Sequence, residues 1–285
     1  MWSRSRSHSL LNVRVLLTGA AGRIGRVVSV GLVDRGHEVV GVDLVPQPDG
    51  LDGAWHTADC ADADAVADVF AAEFAESSLD AVVHLAGHPG EASLPDALTS
   101  HVVTTAALLD AMVEHGVRRL VYGGSNHAVG HTPRAGLPDG LLPVETRLRP
   151  DTFYGVAKAS AESLLSLYAD RHALDVVSCR IGSFQPEPRT VRHLATWLSH
   201  DDCVRMVEAA LTTPAPGFAV LYGISHNTRA WWDLGPGRAL GYEPVDDAEA
   251  WADRVEPRET DRAENAAVGG DFTFDAIVRP ALDRS

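Results

Sequence analysis

The sequence predicts an α/β fold in which a doubly wound parallel sheet carries a small C-terminal cap. Over residues 13–181, short apolar segments rich in β-branched residues alternate with segments of helical period, which is typical of a parallel sheet covered on both faces. Beyond residue 182, prolines, glycines and tryptophans divide the chain into short pieces. We expect these pieces to cover the carboxyl edge of the sheet, where ligands bind in such folds.

Each element follows from a local pattern. Apolar, β-branched runs predict strands at residues 13–18, 37–43, 81–84, 119–123 and 176–181. Apolar residues recurring every three or four positions predict helices at residues 24–35, 61–76, 94–115, 154–172 and 202–211. We therefore expect a disordered tail at residues 1–11, a main α/β domain at 12–182, and a cap region at 183–285 that belongs to the same compact unit.

Charge and cysteine content exclude several classes of function. The chain has 39 acidic and 24 basic residues, a formal charge of -15, so we expect no nucleic-acid or membrane partner. Any anionic small molecule would need a dedicated arginine. The three cysteines show no metal-binding spacing, which favours a reduced, cytoplasmic setting and no metal site. No apolar run approaches the roughly 18 residues that cross a bilayer.

A glycine-rich turn predicts a dinucleotide site. Gly19, Gly22 and Gly25 form T-G-x-x-G-x-x-G between the first strand and the first helix. Such glycines let the backbone turn tightly and approach a pyrophosphate at the helix N-terminus. Asp43 follows at the end of the second strand, where a carboxylate accepts the ribose hydroxyls and repels a 2′-phosphate, which favours NAD over NADP. Arg23 leaves the alternative open, because a guanidinium here could serve a 2′-phosphate.

Two further segments complete the predicted cofactor site. Asp59 follows a further short strand, expected between residue 43 and the helix at 61–76, and is placed to hydrogen-bond the adenine edge. Leu85-Ala86-Gly87 is a turn of small residues past which a cofactor can run. The cofactor-binding residues we expect are Gly19, Gly22, Arg23, Ile24, Gly25, Asp43, Asp59, Cys60, Leu85, Ala86, Gly87, Tyr154, Lys158 and Ile181.

A tyrosine and a lysine predict the reacting centre. Lys158 is the only lysine of the chain, and it stands four residues after Tyr154, so both side chains share one helical face. A nearby ammonium and a positively charged nicotinamide both favour a phenolate, and lowering the pKa of Tyr154 from about 10 to about 7 would take about 4 kcal/mol. The phenolate could then take a proton from a substrate hydroxyl that Ser125 holds. We expect Ser125, Tyr154 and Lys158 to be catalytic.

Together these motifs resemble the extended short-chain dehydrogenase/reductase family. The resemblance covers residues 13–182 and implies a Rossmann-type sheet, NAD as the cofactor, and self-association through the helices that flank Tyr154. We therefore expect an NAD-dependent oxidoreductase that forms a homo-oligomer.

Within that family the sequence is similar to the uronate dehydrogenases. The matching segments are G-S-N-H-A-V-G from residue 124, R-I-G-S from 180, P-E-P from 186, W-L-S-H-D-D from 197 and W-W-D from 231. The similarity implies NAD-dependent oxidation of a hexuronic acid, glucuronate or galacturonate, at C1 to the aldarolactone. It also implies that Arg192 clamps the carboxylate. The implied substrate-binding residues are Ser125, Asn126, His127, Tyr154, Ser183, Arg192 and Phe272.

Other functions stay open at this point. His101 stands where the family carries an asparagine, and His88 and Pro89 replace small polar residues beside the substrate. These departures leave room for a dehydrogenase of a related sugar or for a nucleotide-sugar epimerase or dehydratase. A dehydratase, however, would need an acid where Asn126 stands. A non-catalytic NAD sensor is a third alternative, although such proteins lose the tyrosine or the lysine.

Overall fold

The computed structural model describes residues 12–277 and 280–282. The tail expected at residues 1–11 lies outside the described residues. The main elements follow in chain order: β1 Arg14–Thr18, α1 Arg23–Val33, β2 Glu38–Asp43, β3 Trp55–Thr57, α2 Ala63–Glu76, β4 Ala81–His84, α3 Leu94–Leu98, α4 Thr104–His115, β5 Arg119–Ser125, α5 Phe153–His172, β6 Asp175–Ile181, β7 Ser183–Phe184, α6 His193–Thr196, β8 Trp197–Leu198, α7 His200–Thr212, β9 Phe218–Gly223, α8 Gly235–Ala239 and α9 Asp261–Glu264.

The centre of the molecule is a seven-stranded parallel sheet in the order β3-β2-β1-β4-β5-β6-β9. The order reverses between β1 and β4, so a crevice opens at their carboxyl ends, where an open α/β sheet binds its ligand. The register brings the end of β5 beside the end of β6, with Ser125 opposite Ile181. Both residues were predicted to belong to the site.

Both faces of the sheet are buried, which explains the uninterrupted apolar strands. Successive side chains of a strand point to opposite faces. Val15 and Leu17 of β1 join a core with residues of α1 and α7. Leu16 joins a second core with residues of α2, α4 and α5. Because one helix layer covers each face, the fold is the doubly wound α/β class that the sequence predicted.

Short polar side chains fix the N-termini of three helices. Asp62 accepts hydrogen bonds from backbone N–H groups of α2, Thr152 from the N–H of Gly155 in α5, and Ser199 from the N–H of Asp202 in α7. Each cap satisfies donors that a helix leaves free in its first turn. The Thr152 cap fixes the start of the helix that carries Tyr154.

The structure differs from the sequence prediction in two places. The helix expected over 94–115 is interrupted by a π-helical turn at Thr99–Val103, which places His101 at its centre. The region expected as a cap contributes α7 and β9 to the main layers, since β9 pairs with β6 and α7 packs on α1. Residues before α7 and after β9, around 183–193 and 258–272, line the cavity at the carboxyl edge.

In the part of the chain that the structure describes, no helix combines the length and apolar character needed to cross a membrane.

Candidate active site

One cavity of about 1070 Å³ lies at the carboxyl ends of the central strands. Every residue predicted for the cofactor, the substrate or the catalytic step lines it, from the glycine-rich turn to the C-terminal segment. A cleft of this size accommodates a dinucleotide together with a small second molecule. Residues scattered over most of the sequence are thus gathered in a single site.

The glycine-rich turn leaves its backbone open to a ligand. Gly19 has a φ of +70°, and a Cβ there would lie 2.6 Å from the backbone nitrogen of Ala86. A Cβ on Gly25 would overlap the carbonyl oxygen of Gly19. Helix α1 starts directly after Gly22 without a side-chain cap, so its first N–H groups stay available to an anion. The cradle fits a pyrophosphate.

Two carboxylates lie farther along the same cleft. Oδ2 of Asp43 accepts a hydrogen bond from the N–H of Ala21 (2.9 Å), which ties the end of β2 to the glycine-rich turn. Oδ1 of Asp59 accepts one from the N–H of Ala61 (2.8 Å). Oδ1 of Asp43 also accepts a longer bond from the N–H of Val45 (3.4 Å), and both side chains line the cavity. Their positions fit the ribose and adenine of a nucleotide.

Arg23 bridges the glycine-rich turn to the segment after β6. Its Nη2 atom donates to the carbonyl of Phe184 and to Oε1 of Gln185, each at 3.1 Å. These bonds hold the guanidinium across the cleft against Phe184 and Gln185, directly after Ser183. The sequence alone left open whether this arginine reaches toward the ribose end near Asp43.

Lys158 is enclosed beneath the reacting centre. The residue is 6% exposed, its Nζ donates to the carbonyl of Gly123 (2.7 Å), and it lies 4.9 Å from the ring centroid of Tyr122 and 5.7 Å from that of Tyr154. Burial lowers the pKa of Lys158 to about 7, and the negative charge of Glu162 opposes this shift. The ammonium is therefore easily discharged near neutral pH.

In the protein without cofactor, the pKa of Tyr154 is raised, whereas the tyrosine–lysine motif predicted a lowered pKa. The pKa of Tyr154 is raised to about 12, chiefly by burial; the hydrogen bond with the Ser125 hydroxyl opposes this rise and the charge of Asp151 contributes to it. The sequence argument counted the charges that favour a phenolate but not the loss of hydration, which disfavours it. A lower pKa thus depends on charge that the bound cofactor adds.

Four residues expected at the substrate end line the same cavity. Nδ2 of Asn126 donates to the carbonyl of Val268 (3.2 Å), and the ring of His127 stacks at 4.3 Å from that of Phe272. The hydroxyl of Ser183 is 2.9 Å from that of Thr196. The C-terminal segment therefore closes over the segment that follows β5.

Arg192 places a buried guanidinium at this end of the cavity. It is 8% exposed, and its guanidinium donates to the carbonyl of Val268 and, at longer distance, to those of Ala267 (3.4 Å) and Glu264 (3.5 Å). Burial lowers the pKa of Arg192 to about 10, against the charges of Asp271, Glu264 and Asp151. The group is still cationic at neutral pH, so it can pair with an anion.

Three residues near the reacting centre were not assigned a role from sequence. Nε2 of His101 donates to the carbonyl of His88 (3.1 Å), and its ring meets that of Tyr154 edge-on at 5.2 Å; burial lowers its pKa to about 2. The carboxylate of Glu91 accepts hydrogen bonds from backbone N–H groups at the start of α5. Asp151 pairs with His127. Only His101 gave a sequence signal, as a departure from the family pattern.

Fold and site together define a class: an α/β dinucleotide-binding protein with a tyrosine–lysine pair at the carboxyl edge of its sheet. Residues 15–201 match the model of the NAD dependent epimerase/dehydratase family. The chain belongs to this family.

Individual relatives cover nearly the whole chain. Uronate dehydrogenase from Pseudomonas putida is 32% identical over 91% of this chain and 95% of its own length. NAD-dependent glucose-6-phosphate dehydrogenase from Haloferax volcanii is 34% identical over 85% of this chain and 97% of its own. The crystal structure of a variant of uronate dehydrogenase from Agrobacterium tumefaciens complexed with NAD superimposes with a TM-score of 0.84 at 33% identity, covering 95% of this chain and 99% of that one.

Proposed function

We propose that this protein is an NAD-dependent dehydrogenase that oxidises a hexuronic acid, glucuronate or galacturonate, at C1 to the aldarolactone. The observation that carries the proposal is the buried guanidinium of Arg192, which lines the same cavity as Ser125 and Tyr154. A cation enclosed at the far end of a cleft, in a chain of net charge -15, indicates an anionic substrate. The similarity to uronate dehydrogenases over most of the chain supports a sugar acid.

NAD is the cofactor, and the cradle described above fits it. The glycine-rich turn and the N-terminus of α1 would hold the pyrophosphate, Asp43 the adenosine ribose and Asp59 the adenine edge. Because a carboxylate beside the ribose repels a 2′-phosphate, Asp43 favours NAD over NADP. When bound, the nicotinamide accepts the hydride from C1 of the sugar.

The chain's own residues handle the proton. Ser125 would hold the C1 hydroxyl against Tyr154, whose phenolate takes the hydroxyl proton as the hydride leaves. Lys158, held on the carbonyl of Gly123, would stabilise the phenolate from below. Loss of the hydroxyl proton and of the hydride converts the cyclic hemiacetal into a lactone, so no water is consumed.

The substrate would lie between the nicotinamide end and the C-terminal segment. Asn126 and His127 would hydrogen-bond its hydroxyls, Ser183 would lie between the sugar and the nicotinamide, and Phe272 would cover the ring. Arg192 would clamp the carboxylate. In this arrangement residues 12–182 hold the cofactor and the catalytic pair, and residues 183–285 complete the substrate end.

The test is the formation of NADH, measured by absorbance, from NAD with glucuronate or galacturonate, with glucose and galactose for comparison. Arg192→Ala should raise KM for the uronates about 10- to 100-fold, because a charge-assisted bidentate pair is worth roughly 1.5–3 kcal/mol. The substitution should leave any rates measured with glucose and galactose unchanged. Arg189→Ala, three residues earlier and exposed, is the matched control.

The outcomes separate the alternatives. Turnover of uronates that depends on Arg192 supports the proposal. Turnover only of a phosphorylated or neutral sugar would identify a dehydrogenase for a related sugar. Activity only on a nucleotide sugar, with no net NADH, would identify an epimerase, and binding of NAD without any turnover would identify a sensor.

A cytoplasmic location and a homo-oligomeric assembly are further proposals. The cysteines Cys60, Cys179 and Cys203 are all free and buried, which suits a reducing compartment. Leu167 of α5 and Val103 beside α4 are exposed apolar side chains on the helices next to the catalytic pair, which supports self-association there. Light scattering on purified protein would measure the mass of the assembly.

A further inference from the structure

A buried carboxylate lies behind the substrate end of the cavity. Asp151 precedes the Thr152 cap of α5, and its side chain is fully enclosed (0% exposed). Oδ2 lies 2.8 Å from Nδ1 of His127, and Oδ1 accepts a hydrogen bond from the Thr152 hydroxyl (3.0 Å). An enclosed carboxylate is costly unless it is paired, so His127 is the partner that permits it.

Three glycines make room for this carboxylate. A Cβ on Gly130 or on Gly269 would overlap Oδ2 of Asp151, and one on Gly155 would lie 3.0 Å from Oδ1. All three glycines have backbone angles that any residue adopts: Gly155 lies inside α5, and the φ values of Gly130 and Gly269 are −56° and −77°. Their backbones do not require glycine. The space around Asp151 requires it at Gly130 and Gly269, and at Gly155 the carbonyl oxygen of His127, 2.5 Å from a Cβ, requires it as well.

The paired histidine reaches the cavity. The side chain of His127 is 16% exposed, lines the cavity, and packs against the rings of Phe272 (4.3 Å) and Tyr154 (5.8 Å). An ionised carboxylate only accepts hydrogen bonds, so Nδ1 of His127 must carry the proton between them. This leaves Nε2 as the ring nitrogen available to a ligand.

We propose that Asp151 is a positioning residue that keeps the proton of His127 on Nδ1 and so presents Nε2 to the substrate as a hydrogen-bond acceptor for a sugar hydroxyl. The inference rests on the proposed function, in which His127 contacts the sugar. A carboxylate behind a ligand-contacting imidazole fixes both its tautomer and its ring orientation. A purely structural ion pair would stabilise the fold without selecting the tautomer that the substrate meets.

The first test reads the tautomer directly. Long-range ¹H–¹⁵N NMR of the protein with NAD, at about pH 8, distinguishes a protonated Nδ1 from a protonated Nε2, and His127→Gln identifies the signal. We expect Nδ1 to be protonated in the wild type and the pattern to change in Asp151→Asn. A neutral ring protonated on Nε2 in the wild type would overturn the proposal, even if Asp151→Asn failed to fold.

The second test is a double-mutant cycle on uronate oxidation. Asp151→Asn should lower kcat/KM about 10-fold or more, chiefly through KM, with unchanged affinity for NAD. In a His127→Ala background the same change should alter kcat/KM clearly less than in the wild type, because the contact with His127 is gone and only the direct effect of the Asp151 charge on Tyr154 remains. Asp170→Asn, an exposed acid at the other end of α5, is the control. Additive effects of the two changes would contradict the proposal.

The two tests also separate this inference from the proposed function. If the wild type does not oxidise any uronate, the proposed substrate is wrong, and the NMR measurement still decides what Asp151 does. If uronates are oxidised but the tautomer does not depend on Asp151, only the positioning role fails.

Discussion

At the scale of single residues, the site is governed by competition between charge and hydration. Tyr154 and Lys158 share a helical face, as their spacing predicts, but enclosure disfavours the charged form of both: it raises the pKa of the phenol to about 12 and lowers that of the amine to about 7. At neutral pH only Lys158 destabilises the folded protein in this way, because the phenol of Tyr154 is neutral in both the folded and the unfolded chain.

Replacing Lys158 with methionine should stabilise the fold while abolishing activity. Burial lowers the pKa of Lys158 from 10.5 to about 7, so between these pH values the unfolded chain binds a proton that the folded protein does not. Wild-type stability therefore rises with pH across this window. Lys158→Met lacks this dependence and should be more stable below pH 7 by about 1–2 kcal/mol, with kcat reduced about 10²- to 10⁴-fold.

Denaturant unfolding of both proteins over this pH range measures the effect. The charge of Lys158 also helps to lower the pKa of His84 and His101, but burial is the larger cause and keeps both imidazoles neutral in the folded protein above pH 7. In this pH range the difference between the two free energies of unfolding therefore isolates Lys158. A difference that stays constant with pH would mean that the enclosed ammonium carries no penalty.

Sequence could identify residues whose role is tied to a local motif, and it missed those tied to tertiary contacts. The glycines and Asp43 stand at strand ends, and Tyr154 and Lys158 stand four residues apart on one helix, so local spacing predicted their place. Asp151 and Glu91 have no such spacing. The role of Asp151 depends on its contact with His127, and that of Glu91 on its contact with the first turn of α5. Both contacts form only when the chain folds.

At the scale of elements, the loop after β4 is attached to the catalytic helix. Oε1 and Oε2 of Glu91 accept hydrogen bonds from the N–H groups of Phe153 (3.2 Å) and Tyr154 (3.0 Å). The carboxylate also suits the positive end of the dipole of α5. The same loop is held from the π-helical turn, where Ser100 Oγ accepts from the N–H of His88 (2.6 Å). The loop therefore sets the position of Tyr154.

Changing Glu91 to glutamine should impair catalysis more than binding. The amide offers one acceptor oxygen, so one of the two helical N–H groups loses its partner. We expect kcat to fall about 10-fold and stability by about 1 kcal/mol, with little change in affinity for NAD. Steady-state kinetics and thermal melting measure these effects, and Glu114→Gln, exposed at the end of α4, is the control. An unchanged kcat would show that the loop does not position Tyr154.

The turn between β1 and α1 gives a second prediction at this scale. Gly19 and Gly36 both have positive φ, +70° and +88°, but only Gly19 is closely surrounded. Alanine at either site should cost about 1–2 kcal/mol of stability through its backbone angle. Gly19→Ala should in addition weaken NAD binding at least about 10-fold, because its Cβ meets the backbone of Ala86. Calorimetric titration with NAD gives both affinities, and equal affinities would refute the steric role.

Elements with a clean period were predictable, whereas interrupted ones were not. The helix over residues 94–115 looked continuous because a π-helical turn adds one residue to a turn without removing the apolar pattern. Strand β9, Phe218–Gly223, at the edge of the main sheet, follows Pro214, Pro216 and Gly217, and those residues suggested an irregular cap. Its pairing with β6 is a property of the sheet and not of the segment itself.

At the scale of the whole molecule, net charge opposes the proposed substrate. A chain with a formal charge of -15 repels a uronate in solution, while the buried Arg192 attracts it only at close range. Raising ionic strength from about 0.01 M to about 0.15 M shortens the screening length from about 30 Å to about 8 Å. This weakens the long-range repulsion between protein and uronate more than it weakens the close attraction between Arg192 and the carboxylate.

We therefore expect kcat/KM for the uronate to rise with salt over this range, while that for a neutral sugar stays constant. Sodium chloride titrations of initial rates would measure both. A fall in kcat/KM for the uronate would mean that surface arginines around the cavity mouth, and not the net charge, control the approach of the substrate.

The solitary lysine has a consequence for chemical labelling. Since Lys158 is the only ε-amine of the chain and is 6% exposed, reagents directed at lysine side chains find none on the surface. To react, such a reagent must enter the cavity and reach Nζ of Lys158, which is hydrogen-bonded to the carbonyl of Gly123. The rate at which the reagent modifies Lys158 would therefore measure how often the cavity opens. The degree to which NAD slows the modification would measure how far the bound cofactor shields the amine.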